Sequence, residues 1–411
     1  MLSPTALVLG GTHDHIRLLE LLRERGYYTV LVDYYASPPA RLAADEHCQM
    51  STLDAQSVLG LAKSRSAKLV VAACIDQAMQ TAAWVSECLR LPCHLSYSSA
   101  VERTNKLIMK RLFGQGGIPT ASWSDDGPGL PEFLRRCHWP VVVKPADANS
   151  SKGVQRVGSV AEIPRAIVAA KAFSREGQVL VEEFRSGVEY SVDVVVRSGE
   201  PTVLMVTRNE KIASDSSRFT ILENVYLSDE QELMKEMTSP IARKICRSFG
   251  INDGPVLIQL ICSSGGISVV EFSSRIGGGS KHHFLKKMTG FDAIDNYLKV
   301  IHGESVSIPL VRSTVGASSM SYIYAKSGVL AGITGCEELR DTGVISDYYT
   351  YKSIGMEISG RKASSDRPAG FMIIGDSVRN LRSRVGKAEK GIRVMDGNGE
   401  DLMMHGIYGK W

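Results

Sequence analysis

Three residues that could do chemistry alternate along one predicted strand. Glu271, Ser273 and Arg275 are two positions apart, so a β-strand places their side chains on one face. Apolar runs at 255–262 and 267–272 flank a Ser-Ser-Gly-Gly turn and predict a β-hairpin. A carboxylate that suits a hard cation, beside a permanent guanidinium, favours a phosphorylated and metal-bound ligand. A surface hairpin with solvated charges is the alternative interpretation.

Two glycine-rich turns could bring the backbone close to a ligand. Gly277, Gly278 and Gly279 precede a predicted helix, a geometry whose N–H groups can bind an anion. Gly10-Gly11-Thr12 joins the first predicted strand to a helix but lacks the full dinucleotide-binding spacing. This second turn could hold a carboxylate, or it could be a tight turn without a ligand. We expect His13 and His15 to be exposed at the helix start, with His13 a candidate substrate contact.

Two lysines and a polar loop form a second set of candidates. Lys106 begins a helix capped by Thr104 or Asn105, where a cation opposes the helix dipole unless an anion lies nearby. Lys144 ends a buried strand that starts near residue 139. The following loop, 149–153, offers hydroxyl and N–H groups that could fold over phosphates.

The composition is that of a globular protein. The chain has 411 residues, 44% hydrophobic and 22% charged, so we expect two or three domains. A formal charge of +4 does not favour nucleic acid as a partner, and no apolar run is long enough to predict a membrane span. The N-terminal apolar run lacks a preceding basic region and is interpreted as a strand rather than a signal peptide. Eight cysteines without a Cys-x-x-Cys pair predict neither zinc nor a redox pair and suit a cytoplasmic protein.

Strand and helix signals alternate in the first hundred residues and predict a parallel sheet with helices on both faces. Residues 228–248 predict an amphipathic helix, and the predicted core positions are Leu233, Met237, Ile241, Ile245 and the following Phe249. Strands at 315–324, 344–352 and 371–374, with a helix at 378–390, predict a small α+β region at the end. The predicted fold class is therefore α/β combined with α+β.

The order of these candidates resembles the ATP-grasp superfamily of carboxylate–amine ligases, most of all its L-amino acid ligase and biotin carboxylase-like branch. The resemblance extends over roughly residues 5–410 and rests on Lys106, Lys144, the 149–153 loop, the Glu182–Arg185 segment, Glu189, Glu271 and Arg275. It implies a Rossmann-like domain at 1–100, a two-lobed ATP-grasp core at 101–305 with a lid lobe at about 139–205, and a C-terminal lobe at 306–411 that completes the core.

The resemblance also implies roles for individual residues. The ATP-binding set comprises the phosphate-binding Lys106 and Lys144, the lid residues Ser150, Ser151 and Gly153, the adenine linker Glu182, Glu183, Phe184 and Arg185, the ribose-binding Glu189, and Lys211, whose match is poorer. Arg275 and Lys144 are the catalytic candidates, and Glu271, Gln259 and Ser273 are the metal candidates. The substrate candidates are Arg275, Gly277, Gly278, Lys281 and His282, to which we add His13.

Two positions depart from the family pattern, which usually has an acid where Gln259 stands and asparagine where Ser273 stands. Carboxamide and hydroxyl oxygens can ligate Mg²⁺, but the site loses one negative charge. Three interpretations stay open. The enzyme is active with weaker or different metal binding, another acid such as Glu210 or Glu223 compensates, or the site binds nucleotide without turnover.

The resemblance implies ATP- and Mg²⁺-dependent ligation, with Mn²⁺ as a substitute metal, through an acyl phosphate and with an amino acid as the favoured substrate. Purine-biosynthesis-type and carboxylase-type ATP-grasp enzymes, and a non-catalytic nucleotide-binding module, are the alternatives. The expected partners are a small-molecule carboxylate and amine, with no nucleic acid or membrane, and a second copy of the chain as a homodimer. Arg367 in the C-terminal lobe is expected to form a structural ion pair.

Overall fold

The N-terminal hundred residues form a parallel sheet between helices. The computed structural model describes residues 3–212, 219–308 and 316–410. The first elements are β1 (Thr5–Leu9), α1 (Ile16–Glu24), β2 (Tyr28–Asp33), β3 (Glu46–Gln49), α2 (Ala55–Ser64), β4 (Leu69–Val71), α3 (Asp76–Leu89) and α4 (Tyr97–Glu102). The sheet order is β3-β2-β1-β4 with all pairs parallel, which confirms the predicted architecture.

The expectation that His15 is exposed is wrong. The short 3₁₀ turn His13–His15 points inward, and the His15 side chain is fully buried beneath the first glycine turn. A Cβ atom on Gly10 would lie 2.7 Å from the His15 imidazole, so only glycine allows this packing. Thr12 Oγ1 lies 3.0 Å from His15 Nδ1, and His13 is half-buried.

A small antiparallel sheet follows. Its region comprises α5 (Lys106–Gln115), β5 (Trp123–Asp125), α6 (Leu130–Arg136), β6 (Val141–Pro145), β7 (Gln155–Val157), α7 (Ile163–Lys171) and β8 (Val179–Glu183), with the strand order β5-β8-β6-β7. Asn105 caps α5 by accepting hydrogen bonds from the N–H groups of Leu107 and Ile108. Lys144 lies at the end of buried β6, as predicted.

The largest sheet contains the hairpin predicted at residues 255–272. Its region begins with β9 (Val188–Arg197), β10 (Glu200–Lys211), β11 (Ile221–Leu227), α8 (Ser228–Ser248), β12 (Gly254–Ser263), β13 (Gly266–Ser273), α9 (Lys281–Thr289) and α10 (Ala293–Ile301). β12 and β13 pair antiparallel, so the predicted hairpin is confirmed.

The remaining elements extend the same sheet. They are β14 (Ala317–Tyr322), β15 (Gly328–Val329), β16 (Gly332–Thr334), α11 (Cys336–Asp341), β17 (Asp347–Thr350), β18 (Glu357–Ile358), β19 (Ala369–Gly375), α12 (Val378–Gly391) and β20 (Arg393–Met395). The eight-stranded order is β13-β12-β9-β10-β11-β14-β19-β17, and β15-β18 and β16-β20 form two small sheets. Val315, the predicted first residue of β14, lies outside the described residues.

The predicted core face of α8 is partly wrong. Leu233 and Met237 are 59% and 42% exposed, whereas Met234, Ile241 and Ile245 are buried. A four-residue repeat advances by about 40° per step relative to a helix of 3.6 residues per turn. The predicted core positions nearest the start of the helix, Leu233 and Met237, therefore lie away from its buried face.

One hydrophobic core joins the N-terminal sheet to the later regions. Leu22 of α1 and Leu31 of β2 share it with Phe284, Ile294 and Phe371. All eight cysteines are free thiols, three of them buried. Among the residues that the structure describes, no helix is long and apolar enough to cross a membrane.

Candidate functional site

A cavity of about 1010 Å³ lies where the three larger sheets meet. Its size suits a ligand larger than a single amino acid. The predicted residues that line it are Lys106, Lys144, Ser150, Ser151, Glu182, Glu183, Phe184, Arg185, Glu189, Lys211, Gln259, Glu271, Arg275, Gly277, Gly278 and Lys281. Ser273 lines a small adjoining pocket instead.

The hairpin brings the proposed metal candidates together. Antiparallel register places Gln259 directly opposite Glu271 on the neighbouring strand, so their side chains share a face. Glu271 Oε2 lies 3.3 Å from Lys106 Nζ, which also donates to Ala148 O at 2.7 Å. Glu271 is therefore the nearby anion that Lys106 needs at the positive end of the α5 dipole.

A buried charge cluster of Glu182, Lys110 and Lys144 also lines the cavity. The two oxygens of Glu182 bind two lysines, with Oε1 2.5 Å from Lys144 Nζ and Oε2 2.7 Å from Lys110 Nζ. Burial alone would raise the pKa of Glu182, but Lys110 and Lys144 lower it to about 2. The cluster therefore carries two cations and one anion, a net positive charge suited to a polyanionic ligand.

Lys110 was missed by the sequence reasoning. Its side chain is 1% exposed, and burial lowers its pKa despite the opposing effect of Glu182. Lys110 follows Lys106 by four residues on α5, so one helix face presents both ammonium groups to the cavity. That spacing is the signal that could have found it.

Arg275 is held by a residue from the N-terminal region. Its Nη2 lies 2.5 Å from Asp76 Oδ2, and Ser273 Oγ donates a hydrogen bond to Asp76 Oδ1. Burial would raise the pKa of Asp76, but Arg275 and the hydrogen bonds lower it, so the carboxylate stays ionised. Asp76 stands at the start of α3, nearly two hundred residues before its partners, and no sequence pattern pointed to it.

These contacts limit the side-chain ligands that are available to a metal ion in this cavity. Glu271 and Gln259 offer a carboxylate and a carboxamide, whereas the Ser273 hydroxyl is engaged with Asp76. Such a pair suits one Mg²⁺ that keeps waters and phosphate oxygens as its other ligands. Among the described residues, no group of three or more His, Cys, Asp or Glu side chains is arranged to hold a metal by itself.

Glu210 and Glu223, the two acids that could replace the one expected at position 259, differ in position. Glu223 is fully buried and accepts hydrogen bonds from Ser321 Oγ and Gly409 N, and it is absent from the described cavity lining. Glu210 lines the cavity, and burial raises its pKa. Only Glu210 therefore faces the cavity space.

Both glycine turns are already bound to carboxylates of the chain. Gly11 N–H donates to Asp33 Oδ2 at 2.7 Å, and the N–H groups of Gly279 and Ser280 donate to Asp14 at 2.9 and 2.5 Å. The turns bind anions, as their geometry predicts, but the anions are internal. The bonds from Gly279 and Ser280 to Asp14 hold the N-terminal region against the site, whereas the Gly11 bond lies within that region.

The remaining substrate candidates differ in exposure to the cavity. Lys281 is buried, lines the cavity and pairs with Asp193 at 3.0 Å. His282 is also buried, with Nε2 3.8 Å from Asp14 Oδ1, and burial lowers its pKa to about 4. In the described part of the chain, the cavity lining includes neither His282 nor His13. Both imidazoles lie in a histidine cluster behind the glycine turn.

The predicted adenine linker and ribose contact also line the cavity. The N–H groups of Glu183 and Phe184 donate to Ser122 O and Pro140 O, both at 3.0 Å. Among the described residues, the N–H of Arg185 has no such partner, which leaves it open to a ligand. Glu189 accepts from Asn209 Nδ2 at 3.0 Å and pairs with Lys211 Nζ.

The loop at 149–153 has strained backbone. Ser150 and Ser151 have φ values of 59° and 56°, which L-residues other than glycine rarely adopt. Gly153 has φ 71°, and a Cβ there would lie 2.8 Å from the Phe173 ring, so glycine is required. Such strain is typical of loops that hold or cover ligands.

Comparisons with known proteins agree with this architecture. Residues 137–282 match the family model of the ATP-grasp domain. Dapdiamide A synthase of Enterobacter agglomerans is 26% identical over 232 residues, which cover 53% of this chain and 54% of that protein. A D-alanine–D-alanine ligase of Alcanivorax borkumensis is 30% identical over 152 residues, which cover 36% of this chain and 48% of that protein. The chain thus spans about half the length of these curated relatives.

A solved structure matches along nearly the whole chain. The L-amino acid ligase of Bacillus licheniformis superposes with a TM-score of 0.78 at 18% identity, covering 97% of this chain and 100% of that one. The chain therefore adopts the ATP-grasp fold, as predicted. The ATP-grasp domain itself is matched at residues 137–282.

Proposed function

We propose that this protein is an ATP-dependent ligase that joins a carboxylate to an amine, with an amino acid as one substrate. The observation that carries the proposal is the convergence of Lys106, Lys110, Lys144, Glu271 and Arg275 on one cavity. Similarity to proteins named dapdiamide synthase, D-alanine–D-alanine ligase and L-amino acid ligase supports amide formation.

The proposed reaction has two steps. A carboxylate oxygen attacks the γ-phosphorus of ATP, and the bond to ADP breaks to leave an acyl phosphate. A neutral amine then attacks the acyl carbon, the C–N bond forms, and the C–O bond to phosphate breaks; the proton lost by the amine leaves with the phosphate. Because the side chains form no covalent intermediate, positioning and charge carry the rate.

In this proposal each charged group has an electrostatic task. Lys106 and Lys144 bind phosphate oxygens, and Lys110 offsets the charge of Glu182 so that Lys144 can release it. Glu271, with Gln259 beside it, would hold Mg²⁺, which supplies charge neutralisation between phosphates when bound. The Arg275 guanidinium, which pairs with Asp76 in this structure, neutralises the acyl phosphate.

The remaining proposed contacts position the nucleotide and substrates. We assign adenine to the Glu182–Arg185 linker, ribose to Glu189 with Lys211 beside it, and the phosphate cover to Ser150, Ser151 and Gly153. Gly277, Gly278 and Lys281 are assigned to the substrate side of the cavity. His282 and His13 are assigned an indirect role, since they lie behind that surface.

The test is amide formation measured with phosphate release across a panel of amino-acid pairs with ATP and Mg²⁺. We expect equal amounts of ADP, phosphate and amide product. Arg275→Ala should abolish ligation and leave ATP affinity within about threefold, because the guanidinium acts on the reacting centre. The control is Arg111→Ala, since Arg111 is 60% exposed on α5. Full activity of Arg275→Ala would refute its assigned role.

A non-catalytic nucleotide-binding module is the second candidate function. Two observations favour it: Gln259 replaces an expected acid, and the Ser273 hydroxyl binds Asp76. Measurable ATP binding without phosphate release for any substrate pair would support this candidate over the ligase.

A further inference from the structure

Arg367 lines the cavity from the C-terminal part of the chain. Its side chain is 7% exposed and lines the cavity together with Tyr322 and Tyr351. The guanidinium carbon stacks 3.6 Å from the centre of the Tyr322 ring. Nε donates to Tyr324 Oη at 2.6 Å and Nη2 donates to Ile221 O at 2.7 Å, so the fork is rigidly held.

The expected ion pair of Arg367 is not found among the described residues. Its neighbour Asp366 accepts hydrogen bonds from the N–H and hydroxyl of Ser359 and lies 3.6 Å from Lys352 Nζ. The other buried cations of the cavity each face a carboxylate: Lys110 and Lys144 face Glu182, Lys281 faces Asp193, and Lys352 faces Asp366.

A buried guanidinium without a counter-charge is costly unless a ligand supplies one. Its planar fork matches a carboxylate better than a point-charge ammonium does. Tyr351 adds a second donor, since its hydroxyl is buried near Ser280 and makes no hydrogen bond of normal geometry in the described part of the chain. Burial raises the pKa of Tyr351, so the hydroxyl keeps its proton at neutral pH.

We infer that Arg367 and Tyr351 bind a substrate carboxylate that does not react. For two α-amino acids this group is the α-carboxylate of the amine component, so the enzyme would take free amino acids and release products with a free carboxylate. The inference rests on the proposed ligase function. It adds a substrate class, amines that carry a carboxylate, and it predicts that amines without an acidic group are poorer substrates.

The experiment compares free amino acids with their α-amides as the amine component. Phosphate release should give the wild type a kcat/KM at least about tenfold higher for the free acid, as expected for a charge-assisted contact. Arg367→Met should lower kcat/KM about tenfold or more for the acid and less than about threefold for the amide. Arg367→Lys should keep part of the preference. Equal use of acid and amide by the wild type, or an equal loss for both in Arg367→Met, would overturn the inference.

The control is Arg384→Met, because Arg384 lies outside the described cavity lining and bonds only to backbone carbonyls of its own lobe. Its acid-to-amide preference should equal that of the wild type. Calorimetric ADP binding checks that each variant keeps the nucleotide end folded.

Calorimetry with the same acids and amides, in the presence of ADP, separates this inference from the proposed function. If the wild type turns over no pair but binds free amino acids, the ligase proposal fails. The carboxylate subsite then stands if Arg367→Met loses that binding. Absence of amino-acid binding to the wild type, or unchanged binding to the variant, would overturn the subsite.

Discussion

Replacing Glu182 with glutamine tests the buried charge cluster. The change keeps the shape of the side chain but leaves Lys110 and Lys144, 1% and 4% exposed, without their shared carboxylate. The pKa of Glu182 falls from 4.5 to about 2 in the folded protein. At about 1.4 kcal/mol per tenfold change in the protonation equilibrium, the net effect of burial and the two lysines stabilises the ionised form of Glu182 by about 3 kcal/mol. We expect Glu182→Gln to lower the free energy of unfolding by about that amount at pH 7.

The assay is urea denaturation of the nucleotide-free protein, with the adjacent Glu183→Gln as matched control. Glu183 pairs with His138 and Arg185, which are 92% and 45% exposed, so water can replace those contacts. Glu183→Gln should therefore lower the free energy of unfolding by less than about 1 kcal/mol. A combined Lys110→Met and Glu182→Gln variant should recover much of the loss, because an apolar side chain needs no counter-charge.

The pH dependence gives a second check on the same reasoning. Because the folded-state pKa of Glu182 is depressed, its contribution is complete above its unfolded value of 4.5 and is lost as the pH falls toward 2. The difference between wild type and Glu182→Gln should therefore stay constant from pH 8 to about pH 5. If Glu182→Gln lowers the free energy of unfolding no more than Glu183→Gln does, the charge cluster is not what stabilises this small antiparallel sheet.

Three further predictions concern the rest of the site. Asp76→Asn should lower kcat by about tenfold to a hundredfold, because the Arg275 guanidinium loses the partner that positions it; an unchanged kcat would show that Asp76 is dispensable. His282, whose pKa is lowered to about 4 mainly by burial, should make the protein less stable as pH falls from 6.5 toward 4, since the unfolded chain takes up the proton first. Thermal denaturation should show a shallower pH slope for His282→Asn; an equal slope would contradict this. Gln259→Glu should tighten Mg²⁺ binding to the ADP complex about tenfold, because it adds a second carboxylate opposite Glu271; a calorimetric titration identical to the wild type would show that Gln259 does not face the metal.

The sequence by itself determined most of the elements and predicted the residues that we assign to nucleotide binding. The hairpin follows from two apolar runs around a glycine turn, and its alternation places Glu271 and Ser273 on one strand face. Lys106 and Lys144 lie at element ends that local patterns predict. These features depend on neighbours within a few residues, so a single sequence contains the information.

Only the tertiary structure decided which acid faces which cation. Asp76 reaches Arg275, and Asp14 fills the glycine turn at Gly279, across separations of 199 and 265 residues. Among the described residues, Arg367 has no carboxylate partner although Asp366 precedes it, because Asp366 turns toward Ser359. Such pairings depend on how distant loops pack, which local periodicity does not specify. The packing leaves Arg367 without a carboxylate partner in the described part of the chain, and we infer that a substrate carboxylate neutralises it.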